Sequence, residues 1–202
     1  NFLDNEKIEY THTSYNSGIC TGMNMAVKKS KHDYILYAHD DFYFCPKWDV
    51  VLKKEVEKLN HNKFYLSGTM VNNGQIELDC GNNLETFNEK KLLKEINNAN
   101  YYDFQGSTWA PHLIHKDTWN KVGGFSEEFN PGDGSDPDFN MKLWKEGVRI
   151  FKGIELFKVY HFSSVTTRKK NGLIKNKGDI TFLKKWGFSI KFFKKYFLKS
   201  KT

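Results

Sequence analysis

Residues Tyr34 to Ala38 form an unbroken apolar and aromatic run that stops at His39-Asp40-Asp41. A run of this length without polar alternation predicts a strand covered on both faces, the kind found in the parallel sheets of α/β proteins. In such sheets ligands sit beyond the carboxyl ends of the strands. Asp40 and Asp41 fall at that end, where two adjacent negative charges repel unless a cation or a set of donors compensates them. Two readings follow: a metal-assisted reaction, or a polar loop leading into the helix announced by Pro46.

The 202 residues suffice for one domain, or one domain with an appendage. A content of 39% hydrophobic and 16% aromatic residues excludes a disordered chain. No apolar run approaches the roughly 20 residues of a membrane span, and no secretory signal opens the chain. Cys20, Cys45 and Cys80 are odd in number and lack C-x-x-C spacing, so neither a disulfide framework nor a cysteine zinc site is indicated and a reducing, cytoplasmic setting is expected. The net charge of +7 rests on lysine, with Arg149 and Arg168 the only arginines. Nucleic-acid readers favour arginine for bidentate contacts, so no nucleic-acid partner is expected. From Arg168 to Lys201 the single acid is Asp179, which marks residues 168–202 as a basic segment distinct from a core over 1–167.

Along the chain, strands are expected at Lys7–His12, Asp33–Ala38, Lys63–Val71, Ser107–His115 and Leu156–Phe162. Helices are expected at Gly22–Lys29, at Lys47–Leu59 where Trp48, Val51, Leu52, Val56 and Leu59 recur at helical spacing, around Trp119, and at Pro137–Glu146. Asn72-Asn73-Gly74 is a turn signal, and Asn82–Asn100 reads as a loop followed by a helix rich in lysine and glutamate.

Two further segments carry chemistry. Gly123 to Phe139 is dense in glycine, proline and carboxylates, and Asp136 before Pro137 is an N-cap signal. A carboxylate fixed there is well ordered, but the helix dipole lowers its basicity, so a catalytic base at Asp136 requires surroundings that offset the effect. His161 ends the strand at Leu156–Phe162, where an imidazole is either a satisfied structural residue or a ligand.

In this order the segments resemble a GT-A fold, family-2-type glycosyltransferase. Asn16-x-Gly18 with Asn24 resembles that family's N-x-G...N segment, and Asp33-Tyr-Ile-Leu-Tyr-Ala-His-Asp-Asp41 its strand ending in an Asp-x-Asp metal motif. Gly123-Gly-Phe-Ser-Glu-Glu-Phe129 resembles its GGF segment, Ser135-Asp-Pro-Asp138 its E-D-x-D, and Val159-Tyr-His161 its late strand ending in histidine. Histidine stands first in the metal motif, and Ser135 replaces the glutamate. The resemblance starts so far along the family's pattern that its first βαβ unit, about 30 residues or more, is expected to lie before Asn1.

The resemblance implies an α/β fold with a mixed, mainly parallel sheet flanked by helices. It also implies an inverting, metal-dependent transfer from a nucleotide-diphosphate sugar, a UDP-sugar foremost, to a hydroxyl of a glycan or lipid-linked acceptor. Asp41 and His161 would each give one ligand to Mn2+ or Mg2+, and Asp136 would be the base. Asn16, Gly18, Asn24 and Asp40 would meet the donor, and Asp138 and Trp109 the acceptor, with Trp109 otherwise a core residue. Between Ile180 and Phe197 the residues Leu183, Trp186, Ile190, Phe193 and Phe197 share one helical face, which can pack on the core or lie at a membrane surface. Two other classes stay open: a non-catalytic carbohydrate-binding protein with a degenerate transferase fold, and a metal-dependent hydrolase using His39-Asp40, a pair normally set on helices.

Overall fold

A computed structural model describes residues 6–99, 101–162 and 178–200. The chain begins irregularly. The strand expected at Lys7–His12 is absent, because Lys7 adopts φ 55° and the following residues, with Ile8 and Tyr10 exposed, meet no sheet edge. Helix α1 (Ile19–Lys29) then leads to β1 (Tyr34–Tyr37) and β2 (Phe42–Phe44), with α2 (Trp48–Glu57) and β3 (Phe64–Val71) after them. At the β3 exit Asn72 and Asn73 both take positive φ, as the turn signal requires. Helix α3 (Glu89–Glu95) is capped by the Asn88 side chain, which accepts from the Lys91 amide. The short β4 (Phe104–Gln105), β5 (His112–His115) and α4 (Lys116–Val122) follow. A 3-10 turn at Glu127–Phe129 precedes α5 (Ser135–Lys145) and the long β6 (Ile150–His161). Near the end of the chain come α6 (Gly178–Trp186), α7 (Ile190–Phe192) and a π turn at Phe193–Phe197.

The sheet order is β1-β5-β3-β6-β2, with β4 pairing β6. It is mixed, as expected, and its parallel part is the long central pair β3–β6; the other pairings among the described strands are antiparallel. Strand alternation splits the core into two layers. Ile35, Tyr37, Tyr65, Ile114 and Phe151 join the cluster covered by α1, α4 and α5. On the opposite face Phe64, Leu66, Leu113 and Phe157 pack with Leu52 of α2. The both-sided burial expected for β1 is met on one face only: Ile35 and Tyr37 are buried together, while on the other face Leu36 is half-buried and Tyr34 is 42% exposed.

Two elements depart from their sequence pattern. The β3–β6 register shifts after Gly68↔Ile154 to Thr69↔Lys158, so Glu155, Leu156 and Phe157 form an insertion in β6. The amphipathic helix expected from Ile180 to Phe197 is broken at Gly187, which takes φ 80°. Phe182, Phe193 and Leu198 are buried in the main core, while Leu183, assigned inward by helical spacing, is exposed.

Candidate active site

Strand β2 starts directly after Asp41 and runs antiparallel to β6, with Phe42 opposite His161. The Phe162 amide donates to the Asp41 carbonyl at 3.0 Å. This pairing carries the two polar strand ends to one place: Asp41 Oδ2 lies 3.2 Å from His161 Nε2, with both side chains mostly buried. The edge-on Phe42 ring holds the imidazole at a centroid distance of 5.1 Å. His161 Nδ1 is buried and makes no hydrogen bond among the described residues. Asp40 is exposed.

His39 occupies the first position of the motif and turns inward. Its Nε2 is 2.8 Å from the Tyr37 hydroxyl, and its ring stacks on Phe42. Burial lowers its pKa, partly opposed by Asp41, so the imidazole is neutral near pH 7. That setting at a strand end differs from the helical one of an HD-type hydrolase pair.

Among the described residues no three His, Cys, Asp or Glu side chains form a metal-binding group. Asp41 and His161 supply one carboxylate and one imidazole with unused ring nitrogen. Such a pair fits a divalent ion that takes its other ligands from phosphate oxygens and water.

Asp136 differs from its expected place. The N-cap of α5 is Gly134 in the left-handed region, with no side-chain cap, so the helix starts before Asp136 rather than at it. The residue keeps some surface, but carboxyl oxygen Oδ1 is buried without a hydrogen bond among the described residues. Burial raises its pKa to about 7, and nearby Lys194 only partly counters the shift. The helix dipole acts in the same direction as Lys194. Desolvation therefore supplies the offset that a base at a helix N-terminus requires.

The Asp136 charge acts on Tyr37 and Tyr65, whose phenols are raised first by burial and then by this carboxylate. Tyr37 contacts His39, while the Tyr65 hydroxyl donates to the Trp109 carbonyl at 3.1 Å and lies 2.9 Å from His112 Nδ1. Burial holds His112 neutral, with its pKa lowered to about 3. A layer of neutral polar side chains thus joins the Asp41 end of the sheet to α5.

The other expected residues have mostly architectural partners. Asn16 Oδ1 accepts from the Gly18 amide at 3.1 Å. Gly18 has φ 83°, and a Cβ there would collide with the Asn130 side chain. Asn130 is the residue that sequence reasoning missed. Its Oδ1 accepts from the Cys20 amide at 3.0 Å, and its Nδ2 donates to Thr21 Oγ1 at 2.9 Å, so it caps α1 from a distant loop. Its signal was an asparagine before Pro131 in the glycine-rich segment.

Asn24, expected at the donor, uses its amide on Phe125: Nδ2 donates to the carbonyl and Oδ1 accepts from the backbone N–H, each at 2.9 Å. Asp138, expected at the acceptor, is buried and accepts from Ser126 Oγ at 2.6 Å, Trp186 Nε1 at 2.8 Å and Lys185 Nζ at 2.9 Å. Trp109 donates from Nε1 to the Gly68 carbonyl at 3.1 Å and stacks on Phe104 at 5.4 Å. Ser135, at the family's glutamate position, donates to the Gly132 carbonyl at 2.6 Å.

A mixed sheet with helices on both faces, and an acidic loop beyond β1 closed by the end of β6, define a GT-A type transferase domain. Residues 2–117 match the model of the glycosyl transferase family 2, and the chain belongs to that family. Asp136 and His161 lie beyond the matched span. No curated protein sequence matches the chain. Among solved structures it resembles S. aureus TarS 1–349, with a TM-score of 0.54 and 15% identity over 79% of this chain and 45% of that one. The same protein in complex with UDP matches with a TM-score of 0.53 and 14% identity over the same shares. The chain therefore spans less than half the length of these structures.

Proposed function

We propose that this glycosyltransferase domain uses a divalent cation and a nucleotide-diphosphate sugar, UDP-linked, and transfers the sugar with inversion to a hydroxyl of a glycan or lipid-linked acceptor. The observation that carries the reading is Asp136, a partly accessible carboxylate at the start of α5 whose buried Oδ1 makes no hydrogen bond among the described residues; burial there pushes its pKa up to about 7, which suits proton abstraction near neutral pH. Asp136 would take the acceptor hydroxyl's proton as that oxygen attacks the anomeric carbon opposite the departing diphosphate. Asp41 and His161 would hold Mn2+ or Mg2+, with Asp40, Asn16 and Gly18 on the donor side. When bound, the ion supplies positive charge to the leaving diphosphate. The UDP complex of a structural relative supports the choice of nucleotide.

The test measures UDP binding and release with Mn2+, a panel of UDP-sugars and glycan acceptors. Asp136→Asn should retain donor binding and lose transfer by roughly 10²–10⁴-fold, the usual loss on removing a general base. Asp41→Asn and His161→Ala should each abolish Mn2+-dependent donor binding. Parental turnover in Asp136→Asn would assign the base elsewhere, and donor binding without turnover by any sugar would favour a binding protein.

Peripheral membrane contact draws support from the outward side of the tail. Ile180, Leu183, Phe192 and Tyr196 are exposed there, interleaved with Lys184, Lys191 and Lys195. Anionic vesicles should bind the chain, neutral vesicles should not, and salt should weaken the binding. Equal binding to both vesicle types would leave the segment a packing element. Among the described residues no helix is long and apolar enough to cross a membrane.

A further inference from the structure

We infer a second ligand site, for an amphipathic anion, in a cavity of about 460 Å³ between the start of α2, helix α3 and the inserted residues of β6. Its charged lining residues are Lys47 and Lys158, and no carboxylate lines it. Lys158 is only 8% exposed. Its ammonium donates to the Ile96 carbonyl at 3.1 Å and the Ala99 carbonyl at 2.8 Å, and forms no ion pair among the described residues. The C-terminus of α3 presents only about half a negative charge, and an ammonium has three N–H donors. Capping α3 therefore accounts for part of the charge and two of the donors. The neighbouring Cys45 adds no compensating charge, because burial raises its thiol to about 11 and keeps it protonated at neutral pH.

The walls are apolar: Val51, Leu93, Ile96 and Leu156. Leu156 is the middle residue of the β6 insertion and is 63% exposed at the cavity. Insertions of this kind re-aim side chains at functional places. Lys47, on the rim, is held at φ 69°, a left-handed conformation unusual for a lysine. A cationic floor under aliphatic walls selects an anionic head joined to an apolar chain. Cys45 lies four residues beyond Asp41, about 13 Å along an extended strand. This cavity is thus separate from the Asp41–His161 pair, and the inference stands independently of the transferase reading.

Titration calorimetry of the whole chain with decanoate tests it, with decylamine and inorganic phosphate as the cationic and chainless comparisons. Decanoate should bind saturably, decylamine should not, and phosphate should bind at least tenfold more weakly. Lys158→Met should abolish binding, but it also removes the cap of α3. Two safer variants keep the test decisive. Lys47→Gly relieves the left-handed backbone and Leu156→Asp changes an exposed position, so both should fold as the parent does while weakening decanoate at least fivefold. Unchanged decanoate affinity in both variants, equal binding of decylamine or phosphate, or no saturable binding up to about 1 mM would overturn the site.

Discussion

A carboxylate with a raised pKa leaves a signature in stability as well as in activity. The folded value for Asp136, about 7, lies above the ordinary value of 3.8. Between about pH 4 and pH 7 the unfolded chain has released this proton while the folded chain retains it, so the group's penalty on folding grows across that window and then levels off. Asp136→Asn should therefore raise stability at about pH 8 by on the order of 1–3 kcal/mol, discounted for the residue's partial exposure. The gain should vanish near pH 4, read as the difference in urea midpoints at the two pH values. A pH-independent difference would mean that Asp136 is not desolvated. Asp41 and His161 stood out in the sequence because each closely follows or ends an apolar run, but what joins them is β2 pairing with β6, and no strand at Phe42–Phe44 was expected from the pattern. The role of Asp138 was not, because its donors Lys185 and Trp186 come from a distant part of the chain and no local pattern announces them.

At the level of elements, the sequence revealed which segments are regular better than it revealed how they end. Helix α1 lacks a side-chain cap of its own, and nothing near Gly18 shows that Asn130 provides one. Asn130→Ala should cost about 1–2 kcal/mol, the usual loss of a helix cap. Asn24→Ala, which strips both backbone partners from Phe125, should cost about 1–3 kcal/mol. Both should appear as lower urea midpoints with unchanged slopes, and a neutral Asn24→Ala would release that residue for the donor role first assigned to it. The three-residue insertion in β6 left no trace in the apolar pattern, since Phe157, its last residue, and Val159 beyond it keep an unbroken alternation. Gly187 did hint at the break in the tail, but the inward face moved from Leu183 to Phe182 because α6 ends there and the chain re-enters the core at Phe193.

On the scale of the whole molecule, the α/β class followed from alternating strand and helix patterns. The largely antiparallel edges did not, because strand direction depends on connections that periodicity does not encode. The tail belongs to the same core as α1 and α5. Phe193→Ala should cost about 3–5 kcal/mol, and a chain ending at Phe162 should bind a hydrophobic dye and lose cooperative thermal unfolding. Retention of a sharp transition would show that the tail is dispensable. The Asp138 clamp also bears on how the protein is made. Residues near Leu198 leave the ribosome roughly 60 residues after Asp138, an interval on the order of 3–12 s at typical elongation rates. For most of that interval the buried carboxylate has neither Lys185 nor Trp186, and the apolar surface beneath Phe193 stays open until that residue emerges. The nascent domain thus spends seconds with apolar surface open, and α5 is among the last parts of the core to be secured.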